Sequence, residues 1–104
     1  MTRHTLCAAL AVLALPFMAA AAAAGPIERA CLSSGRDAAN RSVCSCIQQV
    51  ADMTLRGADQ RKAAVFFRNP DKAQDTFMSK RDADDAFWER YKNFGDTAEA
   101  YCAG

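Results

Sequence analysis

Cys44-Ser45-Cys46 is the part of the sequence best placed to do chemistry. Two thiols in C-x-C spacing bind soft metal ions or shuttle disulfides when they are free. Two further cysteines, Cys31 and Cys102, stand ready to consume them, and Cys7 is set apart near the start of the chain. An even number of cysteines in residues 25–104 of so short a chain reads as a disulfide framework, so structural bonds are expected at all four positions. Thioether partners for a soft metal are scarce there, limited to Met53 and Met78. The single histidine is His4, which leaves residues 25–104 without the commonest general base and the commonest imidazole ligand.

Four cysteines allow three pairings. On a helix, side chains at i and i+2 diverge by about 200°, which disfavours a Cys44–Cys46 bridge and suits two separate partners. Around the stripe of Val43, Ile47, Val50 and Thr54, Cys46 falls on one flank and Cys44 on the other. Cys31–Cys44 with Cys46–Cys102 is favoured over Cys31–Cys46 with Cys44–Cys102, and the second pairing stays open. Loop-closure entropy gives roughly 3 kcal/mol for the short bridge and about 4 kcal/mol for the long one.

Other residues invite weaker readings. Trp88, beside an apolar stripe and among Asp84, Asp85, Glu89 and Arg90, is a candidate partner-binding anchor or a large residue closing the edge of a small core. Phe66, Phe67 and the Phe87/Tyr91/Phe94 stripe read as core. Arg81 to Asp85 reads as a solvated helix face, because its acids lack the alternation and glycine of a calcium loop. Asp82 and Asp85 can share a helix face, far short of a glycosidase cleft. The serines have neither a G-x-S-x-G setting nor a histidine to activate them. No enzyme, cofactor or metal site is expected.

Composition divides the chain. All 12 acidic residues and all but one of the 13 basic ones lie in residues 25–104, which are therefore formally neutral. A neutral segment without a basic cluster is not expected to bind nucleic acid, which demands cations to displace phosphate counterions. Residues 1–24 have a polar head with Arg3 and His4, an apolar run from Leu6, and Ala22-Ala23-Ala24 before Gly25. These are the parts of a secretory signal peptide, expected to be cleaved after Ala24. No other stretch approaches the ~18 apolar residues of a spanning helix, so a soluble periplasmic or secreted domain over 25–104 is expected.

Helices must position these residues, because no period-2 run of β-branched residues is present. Pro26 opens a short helix through Leu32. Ser33-Ser34-Gly35 is a turn, and a second helix is expected from about Asp37 to Leu55, broken by Gly57. Asp59 is expected to cap a third helix. Asn69-Pro70-Asp71 starts a long helical stretch with a kink near Ser79 to Asp82. A further break is expected at Gly95, with Asp96 and Glu99 forming a capping box for a last helix ending at Cys102. The expected fold is all-α, a small disulfide-stabilised bundle of four or five helices.

Ala30-Cys31-Leu32, Asp37 to Arg41, Cys44 to Asp52, Phe87 to Lys92 and Phe94-Gly95-Asp96 together resemble a family of small exported four-cysteine proteins from alphaproteobacteria, over almost all of residues 25–104. Some members carry the label "arginine transporter". A transporter needs several spanning helices, so the resemblance implies at most a soluble accessory to amino-acid uptake. The family offers no catalytic residues to carry over. The residues themselves point to a non-enzymatic interaction module that binds another envelope protein or its own copy. The remaining alternative is a thiol-based metal or redox carrier using Cys44 and Cys46.

Overall fold

The computed structural model describes residues 24–102, and the expected signal segment falls almost wholly outside them. Five α-helices follow in order: α1 (Pro26–Leu32), α2 (Arg41–Thr54), α3 (Gly57–Arg68), α4 (Pro70–Met78) and α5 (Asp82–Cys102). The described residues contain no strand. None of these helices is long and apolar enough to cross a membrane. The chain is a disulfide-stabilised all-α bundle, as its patterning requires.

The first two helices start from local chemistry. Pro26 occupies the first turn of α1, where a missing N–H costs nothing. Asn40 caps α2 by accepting from the Val43 N–H at 2.9 Å. This cap displaces the expected start at Asp37, and residues 33–40 form a loop in which Gly35 takes a φ of 72°.

Other details of the helix ends differ from the expectations. Gly57 is the first residue of α3 rather than a break, and the chain turns at Leu55 and Arg56 instead. Asp59 lies inside the first turn of α3 and bonds Arg90 across the bundle, so it caps nothing locally. Asn69 stands at the N-cap position of α4 without a side-chain cap bond. Helix α5 runs unbroken through Gly95, and the Asp96/Glu99 capping box is not formed. A glycine lowers helix propensity by only about 1 kcal/mol. Packing of Phe94 on one side of Gly95 and a disulfide on the other outweighs that cost.

The core gathers Ile27 and Ala30 of α1, Val50 and Ala51 of α2, Leu55 just past the end of α2, Ala63, Ala64 and Phe66 of α3, and Phe87 and Phe94 of α5. Its many alanines let the helices approach closely but supply little apolar area. About 80 residues bury only some 60–65% of their surface, which is why covalent cross-links matter here. Helix α4 contributes no fully buried residue and lies at the edge.

Candidate functional site

The cysteines are paired Cys31–Cys44 and Cys46–Cys102, with Cα separations of 5.6 and 5.8 Å. The favoured pairing is the one formed, and the divergence of Cys44 and Cys46 around α2 sends one toward α1 and the other toward α5. Cys31 and Cys44 are buried, whereas Cys46 and Cys102 are half-exposed. Both thiols of the C-x-C pair are thus held in structural bonds. No group of three or more His, Cys, Asp or Glu side chains among the described residues is arranged to hold a metal ion.

An aromatic cluster runs from the core to the surface. Phe66 packs edge-on against Phe87 at 5.8 Å and Tyr91 at 5.1 Å between ring centroids. Tyr91 also meets Phe94 at 6.0 Å and Trp88 at 5.3 Å. Trp88 in turn packs on Phe77 of α4 at 5.1 Å. Phe66, Phe87 and Phe94 are buried and Phe67, Tyr91 and Trp88 half-buried. Phe77 remains 56% exposed, and its neighbour Met78 is 65% exposed. Burial raises the Tyr91 hydroxyl above its ordinary pKa, with nearby Arg36 acting weakly in the opposite sense.

Two ion pairs clamp α3 to α5. Lys62 Nζ donates to Asp84 Oδ1 at 2.9 Å, and Arg90 binds Asp59 through two nitrogens at 2.6 and 3.1 Å. Lys62 also lies 4.4 Å from the centre of the Phe87 ring, a cation–π contact. Ser79 donates to Asp84 Oδ2 at 2.6 Å. The Ser79 bond, then Lys62, hold the Asp84 carboxyl below its ordinary pKa, and the Arg90 bond does the same for Asp59. The expectation of a solvated Arg81–Asp85 face needs correcting at Asp84, whose side chain is only 19% exposed. Asp82 and Asp85 remain exposed.

Spacing gave little sign of a polar knot around Gln48. Its Oε1 accepts from the Ile27 and Glu28 N–H groups at 2.9 and 3.0 Å, capping α1 from another helix. Its Nε2 donates to Asp52 and Gln60, and Gln60 donates onward to Asp52 and the Leu55 carbonyl. A side chain on Gly25 would collide with Gln48, so the glycine is needed for close approach. This arrangement secures α1. The surface end of the aromatic cluster leaves Phe77 and Met78 exposed.

A comparison with protein families, curated proteins and solved structures finds no match to the chain.

Proposed function

We propose that this is a non-enzymatic interaction module of the cell envelope, whose docking anchor is the Phe77–Trp88 pair. The carrying observation is the aromatic cluster that begins in the core at Phe66 and Phe87 and ends in a 56% exposed Phe77 packed on Trp88. Large aromatics fixed from behind lose little entropy on docking, which makes such positions energetic centres of interfaces. The export reading rests on the signal-like residues 1–24 and is in keeping with two disulfides, which persist in oxidising compartments. A non-enzymatic role is in keeping with the lack of histidine in residues 25–104.

The other readings make separate demands. A metal or redox carrier must present Cys44 and Cys46 as thiols, whereas both are in bonds here. An accessory to amino-acid uptake must bind arginine, and calorimetry at millimolar arginine measures that directly.

Trp88→Ala and Phe77→Ser test the docking role. Each should weaken binding to a partner captured by affinity isolation from envelope fractions by about tenfold or more. Circular dichroism should stay near that of the parent. Unchanged binding by both variants, or loss of helix in Trp88→Ala, would place these aromatics in the structural core alone.

A further inference from the structure

The two disulfides differ in accessibility and in what each one holds. Cys31 and Cys44 are 3% and 0% exposed and tie α1 to the middle of the fold. Cys46 and Cys102 are half-exposed and tie the end of α5 to α2. Past Phe94, α5 has no buried residue: Thr97, Ala98 and Cys102 are half-buried and the other described residues are exposed, Tyr101 by 76%. Beneath this segment lies a groove of about 440 Å³ lined by Val43, Ile47, Ala98 and Cys102, so packing there is incomplete. The last two turns of α5 are held by partial packing of Ala98 and Cys102 against the core and by one half-exposed disulfide.

We infer that Cys46–Cys102 is a selective thiol-exchange site, opened by a dithiol reductant to release the end of α5 while Cys31–Cys44 preserves the rest of the bundle. A thiolate of the reductant attacks one sulfur of the bond, forms a mixed disulfide and expels the other cysteine as a thiolate, which takes up a proton. The second reductant thiol, deprotonated, then attacks the mixed disulfide and frees the remaining cysteine. Two electrons pass to the protein, its two cysteines end as thiols, and the reductant ends as a disulfide. Reshuffling with the buried bond is disfavoured, because side chains at i and i+2 leave a helix about 200° apart.

Dithiothreitol titration of the oxidised full chain, with alkylation and peptide sequencing by mass spectrometry, tests this. Cys46 and Cys102 should be labelled on the order of tenfold faster than Cys31 and Cys44, since exchange depends on access to the sulfur. The half-reduced protein should keep most of its helical circular dichroism, and glutamyl endopeptidase should cut it after Glu99, a bond protected in the oxidised form. Simultaneous labelling of all four, earlier labelling of Cys31 and Cys44, or loss of helix on opening would overturn the inference. The Cys46→Ser/Cys102→Ser variant gives an independent reading: it should fold with a loosened α5 end, and a wholly unfolded variant would contradict the latch.

Discussion

Gln48 shows how much one side chain holds. It is 7% exposed, and it satisfies two N–H groups of α1 while donating to Asp52 and Gln60. Truncation leaves those donors and the Gln60 acceptor short of partners in a low-dielectric site, where each unmet group costs about 1–3 kcal/mol. Gln48→Ala should therefore destabilise by about 3 kcal/mol or more in urea denaturation, near the upper end for a point change. A loss below 1 kcal/mol would mean that water replaces the amide. Gln48 was not legible beforehand because a polar residue in a helix ordinarily faces solvent, and only tertiary contact with α1 gives it donors to meet. The cysteines were legible because disulfide geometry and helix periodicity together disfavour one pairing and bias the choice between the others. Trp88 was legible as a residue at the margin of a stripe. Its packing on Phe77 was not, since that contact joins two helices across a turn.

At the scale of elements, apolar spacing identified the helices well and their punctuation poorly. The Asn69-Pro70 boundary is where it was expected, because a proline in the first turn has few alternatives. Gly57 and Gly95 misled, since glycine is tolerated at the first position of α3, and within α5 it only weakens a helix anchored by Phe94 before it and a disulfide after it. The exposed position of Gly95, with open space where a Cβ would stand, gives a test. Gly95→Ala should stabilise by about 0.5–1 kcal/mol, read as a raised melting temperature, and destabilisation would show that α5 bends there. The α3–α5 clamps have a pH signature. Asp59 and Asp84 have folded pKa values below the ordinary one, so their contribution is full above the ordinary aspartate value of 3.8 and is lost as pH falls through the folded values. Stability should decline on acidification below about pH 4, and Asp59→Asn with Asp84→Asn should flatten that decline in denaturation curves taken from pH 5 to 2. An unchanged slope would mean that the carboxylates are equally favoured in the unfolded chain.

For the whole molecule, the small alanine-rich core explains the two cross-links, and the cross-links explain how α4 can remain without a buried residue. A bundle stapled at α1–α2 and α2–α5 tolerates an edge helix that displays Phe77 and Met78 instead of burying them. On the proposed function, this edge is the docking surface for another protein. The most direct measurement is site-specific photo-crosslinking in intact cells, with benzoyl-phenylalanine at position 77 and, as a control, at position 96 on the exposed far end of α5. A docking edge should give a discrete adduct, with a partner or a second copy of the chain, from position 77 and none from position 96. Adducts of equal yield from both positions, or none from position 77, would contradict it.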